Sequence, residues 1–255
     1  APAAEEHPAG KPVKLRLASD AEKRARDVVT FPEWGTRLTV PQYLEREVRL
    51  REHAWTRDGM QTWLLADGAD VLSSCETFRN DSSVGARDGV SHSIASVYTE
   101  PDKRGRGHAT RLMDALVDHF RAEGAQSLVL FSDVGPAPYA KSGYFPVDAW
   151  DWVLPPADGP VAVEWIDAPI PAPPRVRAPE GTLRLHPSAV QLDWHHARSR
   201  MYARFLSLPT VQHWGARTAH ATAWWTAQLK SDELLVLWLD APDARAAEPL
   251  LRAAQ

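Results

Sequence analysis

From Arg104 to Thr110 the chain reads Arg-Gly-Arg-Gly-His-Ala-Thr. This turn joins an alternating stretch, Ser91 to Val97, to an amphipathic run, Leu112 to Phe120. A strand feeding a glycine-rich turn at a helix start builds an anion site from backbone alone. The first helical turn leaves N–H groups without intrahelical partners, and the macrodipole makes that end positive. Phosphate groups bind there with little further help. The chemistry suggested is capture of a phosphorylated cofactor by Arg104, Gly105, Arg106, Gly107, His108, Ala109 and Thr110. Arginine and glycine are also common in solvated turns, so this stretch by itself supports a plain surface loop equally well.

Two familiar phosphate loops are excluded. The nucleotide P-loop requires a Lys-Ser/Thr pair after its last glycine, and here His108 and Ala109 follow Gly107. The dinucleotide fingerprint requires a third glycine, where this chain has Thr110. What remains is Arg104-x-x-Gly107-x-Ala109.

Downstream, Ser127-Leu-Val-Leu-Phe131 reads as a short buried strand. Tyr139, Gly143 and Tyr144 follow in a Tyr-x-x-x-Gly-aromatic arrangement. With both signatures in this order, the chain resembles the GNAT superfamily of acyl-coenzyme A-dependent N-acetyltransferases. Val71 to Phe78, Tyr43 to Glu47, His92 to Val97, Ser132 to Gly135 and Trp194 to Arg198 look like segments of the fungal lysine N6-acetyltransferase family. The match is closer before residue 155 than after it. The family's aromatic before the tyrosine is replaced by Pro138, and its bulky residue before the glycine by Ser142. The resemblance implies acetyl-CoA as co-substrate, no metal, and a small primary amine, lysine or similar, as acceptor. It places the pantetheine arm along the strand at Val97, Tyr98 and Thr99, and makes Tyr139 the general acid for the departing thiolate.

A lysine-like amine with a pKa near 10.4 is neutral in only about one molecule in 2,500 at pH 7, a penalty of roughly 4.6 kcal/mol. The site must therefore remove a proton, through a base or ordered water. Glu76 and His92 are the strand residues that could serve, against the plainer roles of solvated glutamate and hydrogen-bonded wall. Asp133 and Glu100 are weaker candidates. Attack on a thioester creates an oxyanion, which backbone N–H groups at a distorted strand end around Val97 to Thr99 would stabilise. Tyr139, at a free tyrosine's pKa of about 10, donates uphill by roughly 2 kcal/mol to a thiolate of about 8.5. Cys75 has no legible histidine partner and reads as buried filler, so direct transfer is favoured over a covalent intermediate. Trp34, beside Gly35, is a candidate wall for the acceptor. His195 and His196 are adjacent on a predicted helix, point apart, and do not suggest a metal.

The elements that must position these groups form a mixed α/β pattern. Val13 to Leu17 alternates as a first strand. Ser19 and Glu22 make a capping box for a helix over Ala21 to Val28, broken by Phe31-Pro-Glu-Trp-Gly35. A second helix spans Pro41 to Ala54. Asp67-Gly68 signals a hairpin between Thr62–Ala66 and Val71–Phe78. Residues 79–89 read as an exposed loop. A strand over 90–98, a helix over 107–124 stopped by Gly124, and a strand over 126–132 follow, with a further strand opening at Tyr144.

The expected organisation is a leader (1–12), a GNAT acyl-CoA-binding domain (13–155), a proline-rich linker (156–179) and a smaller, incomplete GNAT-like half (180–255). That last part reads as a strand at Thr182, a helix over 187–206, strands over 221–227 and 234–239, and a partly helical 241–254. The net charge of −4 speaks against a nucleic-acid partner, and no apolar run is long enough to span a bilayer. A lone cysteine excludes an internal disulfide and suits the cytoplasm.

Overall fold

The computed structural model describes residues 13–149, 151–156, 159–167 and 172–255. The expected leader, and part of the proline-rich segment, lie outside the described residues. In chain order the elements are β1 (Lys14–Leu17), α1 (Asp20–Trp34), α2 (Val40–Glu52), α3 (Ala54–Gly59), β2 (Met60–Asp67), β3 (Asp70–Val84) and β4 (Arg87–Tyr98). A short 3-10 turn, Pro101–Lys103, leads to α4 (His108–Ala122), β5 (Leu128–Val129) and α5 (Ala137–Ala140). Then come β6 (Glu164–Ile166), β7 (Leu183–His186), α6 (Ala189–Leu206), β8 (Gly215–Arg217), β9 (Thr222–Gln228), β10 (Glu233–Asp240) and α7 (Ala244–Ala254).

The chain divides into two units that are not consecutive stretches. Unit 1 takes Ala1–Val29, Gly59–Ser82 and Arg87–Pro146; unit 2 takes Thr30–Asp58, Ser83–Ala86 and Val147–Gln255. The expected division was linear: a domain over 13–155, a linker over 156–179 and a second half over 180–255. Helix α2 belongs with the C-terminal residues because its buried face meets α6: Leu38, Tyr43 and Tyr202 form one apolar cluster. No local pattern announces a partner so distant in sequence.

Unit 1 is built on strands in the order β1-β2-β3-β4-β5. The β1–β2 and β2–β3 pairs are antiparallel, whereas β4 and β5 are parallel. The sheet is therefore mixed, as expected. Its core sits under α4, whose Leu112, Met113, Leu116 and Phe120 recur at helical spacing and pack on Trp63, Leu65, Cys75 and Ile94. Gly124, at φ +78°, closes that helix as predicted, with Ala125 N–H bonded to Phe120 O.

Three expectations are corrected. Helix α1 does not break at Phe31 but runs on to Trp34 through Pro32. A proline this near the last turn removes only one N–H, and Gly35 N–H closes the helix on Phe31 O at 2.7 Å. Residues 79–89 are not a loop but the facing ends of β3 and β4, turned at Gly85 with φ +56°. Their buried side chains are polar and satisfy one another: Ser91 Oγ donates to Ser82 Oγ, Ser82 Oγ to Gln126, and Asn80 Nδ2 to Ser93 Oγ. Finally, no strand opens at Tyr144. The described residues 145–149 and 151–156 are irregular, and Phe145, Val147, Trp152 and Val153 are exposed.

Unit 2 has its own antiparallel sheet in the order β10-β9-β8-β6. Ala216, Ala223, Trp225 and Leu250 pack between it and α7. Helices α6 and α7 are capped by Ser188 and Asp243, whose side chains accept from Gln191 N and Ala246 N. The predicted helices and later strands of this region are present; the short β6 and β8 were not foreseen.

Candidate functional site

The site begins with a kink in β4. Ser96 has φ +54°, a left-handed conformation unusual for a residue with a side chain. Strand side chains alternate strictly, yet Ile94 and Val97 both join the core under α4. The residue inserted at the kink reverses the alternation, as a β-bulge does. Tyr98 then faces α1, its hydroxyl donating to Val29 O at 3.0 Å. Here the β5 partner is also lost, since pairing is confined to His92↔Leu128 and Ser93↔Val129. Backbone groups of Val97 to Thr99 therefore lie at a distorted strand end beyond the β5 pairing.

Buried polar contacts hold this end in place. Arg26, on α1, donates from Nη2 to Ser96 O at 2.6 Å, from Nε to Ser74 Oγ at 3.0 Å, and from Nη1 to Glu76 Oε1 at 3.0 Å. Ser73 Oγ donates to Tyr98 O, and Thr99 Oγ1 to Ser73 Oγ, each at 3.0 Å.

The turn that follows is tied to the same strand end. Arg104 Nε donates to Thr99 O at 2.8 Å, and its guanidinium lies 5.8 Å from the Tyr98 ring centre. Arg106 Nη2 donates to Asp102 O. Lys103 bonds Asp70 and Val71 O, so its charge is spent on β3 and is not free to face a ligand. Those contacts, led by the Asp70 hydrogen bond, push its pKa above the usual lysine value.

Gly105 and Gly107 have φ +78° and +76°, and a Cβ on either would meet nothing within 4 Å. Glycine is required there by backbone conformation, not by crowding. Gly107 is the N-cap of α4 and no side chain caps this end; the first intrahelical bond is Arg111 N–H to Gly107 O. The N–H groups of His108, Ala109 and Thr110 thus form a positive, concave backbone surface of the kind that takes a phosphate. These residues fit the diphosphate of a coenzyme.

Tyr139 lies in α5, which packs on α4, and its ring borders the same core as Val97. Its neighbour Tyr144 is 6.1 Å away between ring centres. The Tyr144 hydroxyl is buried with no partner among the described residues, and burial pushes its pKa well above the usual phenol value. A pocket of about 130 Å³ opens beside Tyr98, lined by Ala25, Val29, Leu64, Ser73 and Ser74, with Glu22 and Glu100 among its polar groups.

The other candidates fall elsewhere. Glu76 is 5% exposed and held in the ion pair with Arg26, so it is no solvated strand glutamate. His92 is stacked on Phe120 at 4.0 Å, and burial lowers its pKa. Neither residue lines the pocket. Trp34 is the last residue of α1 and packs in the unit 2 cluster with Tyr43 and Tyr202, not in a loop. Cys75 is fully buried and its thiol pKa is pushed far up by burial, which makes it inert as a nucleophile. Sequence reasoning missed Arg26 and Ser96. The one local hint was an arginine sharing the helix face of Val29 and Thr30.

Residues 29–142 match the acetyltransferase (GNAT) family model. No curated protein matches the chain. Among solved structures, it resembles a transcriptional regulator of Bacillus halodurans at 13% identity and TM-score 0.48, over 56% of this chain and 99% of that one. A predicted acetyltransferase of Clostridium acetobutylicum, solved with acetyl-CoA, is 19% identical with TM-score 0.42, over 56% and 96%. An aminoglycoside N-acetyltransferase solved with CoA is 11% identical with TM-score 0.46, over 60% and 100%. Likenesses this distant carry no argument about activity.

Proposed function

We propose, from the match of residues 29–142 to the acetyltransferase (GNAT) family model, that the chain moves an acetyl group from acetyl-CoA to the primary amine of a small molecule, lysine or a lysine-like amine. The observation that carries this reading is the uncapped start of α4, opened by two left-handed glycines and tied through Arg104 to the kinked end of β4. Acetyl-CoA supplies the activated thioester and a thiolate leaving group. The N–H groups from Gly107 to Thr110 bind its diphosphate, and Arg104 and Arg106 add positive charge to the turn. The β4 edge beyond Ser93, unpaired by β5, receives the pantetheine arm.

The amine enters the pocket beside Tyr98, whose apolar walls suit the methylenes of a lysine-like chain while Glu100 suits its ammonium. Its proton leaves through ordered water, since Glu76 is engaged by Arg26 and His92 is stacked in the core. A backbone N–H at Val97 stabilises the oxyanion formed as nitrogen attacks the carbonyl carbon; losing such a donor costs about 3 kcal/mol in other enzymes. As the C–S bond breaks, Tyr139 passes its proton to sulfur.

The test is release of free thiol from acetyl-CoA across an amine panel of lysine, cadaverine, an aminoglycoside and a peptide N-terminus. Saturable release with lysine is expected. Tight CoA binding without release for any amine would replace this reading with an acyl-CoA sensor, and release with the aminoglycoside alone would make the acceptor an antibiotic.

A further inference from the structure

Helix α6 in unit 2 turns an unusual face inward. His195, Arg198, Ser199 and Tyr202 recur at helical spacing, where a buried stripe is normally apolar. With Thr226 and Gln228 of β9 they line a cavity of about 20 Å³. Buried polar groups are informative because each must be satisfied or explained.

One group here is unsatisfied and one is a buried charge without a counter-ion. Ser199 is 3% exposed, and its Oγ has no hydrogen-bond partner among the described residues. Arg198 hydrogen-bonds Tyr202 and lies 6.0 Å from the Trp194 ring centre, but has no carboxylate within ion-pair distance among the described residues. The nearby acid is already claimed: Glu47 pairs with Arg46 and stands 3.7 Å from Arg51 Nη1. The Tyr202 hydroxyl accepts from Arg46 at 2.5 Å, and Thr226 Oγ1 donates to His195 O. Burial, with the Arg198 charge adding, lowers the His195 pKa to about 4, so its imidazole is neutral at pH 7 and adds no second positive charge beside Arg198.

We propose that this cavity binds the carboxylate of a small organic acid or amino acid, with Arg198 as the guanidinium fork and Ser199 Oγ as a second donor. A planar carboxylate matches the two parallel N–H bonds that a guanidinium presents. The cavity admits one or two water-sized groups, which suits two carboxylate oxygens better than a tetrahedral phosphate. The site lies wholly in unit 2 and does not depend on acetyl transfer.

The experiment is calorimetric titration and thermal melting of the full chain with acetate, L-lysine, cadaverine and inorganic phosphate, each against sodium chloride at equal ionic strength. Acetate has no amine, so its binding reports this cavity and not the acceptor pocket of unit 1. Acetate should bind and raise the melting temperature. Arg198→Met should weaken acetate at least about tenfold, and Ser199→Ala about threefold. Arg198→Lys, which keeps the charge but not the fork, should fall between wild type and Arg198→Met. If Arg198→Met does not fold, Ser199→Ala and Arg198→Lys still decide. Acetate acting no differently from chloride, undiminished acetate binding in those variants, or phosphate binding in place of acetate would overturn the proposal.

Discussion

Arg26 Nη2 donates to the carbonyl of Ser96 at 2.6 Å, and Ser96 is the left-handed residue that kinks β4. A non-glycine residue in that conformation costs roughly 1–2 kcal/mol and persists only where its surroundings fix it. Glu76 and Ser74 hold the same guanidinium from β3. The buried ion pair is thus part of the device that aims the strand end toward the α4 turn.

Removing one member of a buried pair leaves an unpaired charge, so Arg26→Met should cost about 3–5 kcal/mol in denaturant unfolding. The double variant Arg26→Met/Glu76→Leu removes both charges and should regain most of that loss. Its turnover should nonetheless stay low, with the KM for acetyl-CoA little changed, because nothing then holds the Ser96 carbonyl. A double variant with wild-type turnover would detach Arg26 from the geometry of the bulge.

Tyr139→Phe removes the proposed acid and keeps the ring that borders the core. General acids contribute about 10²–10⁴-fold, so kcat should drop by at least about a hundredfold while the CoA dissociation constant stays within about twofold. Tyr144 does not substitute, since its hydroxyl is buried and holds its proton more tightly than an ordinary phenol. Stopped-flow thiol release alongside CoA calorimetry separates the two quantities, and unchanged turnover would end the role assigned to Tyr139.

At Gly107 the backbone alone sets the cost of substitution, because a Cβ meets nothing within 4 Å. Gly107→Ala should therefore fold and lose about 1–2 kcal/mol. Gly107→Glu places a carboxylate at the helix start and should abolish CoA binding by calorimetry. If the glutamate variant binds CoA as the alanine variant does, the diphosphate is held elsewhere.

The turn, α4 and the hairpin at Asp67-Gly68 were legible because each rests on local chemistry: left-handed glycines, helical spacing, a two-residue turn. The facing ends of β3 and β4 were not, since Ser82, Ser91 and Asn80 bury polar groups that sequence reasoning assigns to solvent. Arg26 was hidden for the same reason, and Ser96 because a serine carries no sign of positive φ. The two-unit division escaped because Tyr43 finds Tyr202 only in the folded chain. Tyr139 was singled out by its spacing to Gly143, and folding places it in α5 against α4. Glu76 and His92, chosen only for residue type and strand position, were placed by folding in an ion pair and a ring stack.

Glu22 offers a test by pH. Its carboxylate accepts from Arg16 at 2.5 Å and from Ser19 N at 2.8 Å, completing the capping box of α1. The Arg16 hydrogen bond, followed by the Ser19 backbone, lowers its pKa to about 2. A carboxyl group whose pKa is depressed by folding binds protons more readily in the unfolded chain. Its contribution is therefore complete above the unfolded value, near 4.3, and is lost as pH falls toward 2. Both side chains are partly exposed, 36% for Arg16 and 30% for Glu22, so solvent screening keeps the contribution to about 1 kcal/mol. Glu22→Gln should unfold at lower denaturant than wild type at pH 7, and the gap should close between pH 4 and pH 2. A gap that persists unchanged at pH 2 would mean that glutamine is destabilising for reasons other than the lost charge.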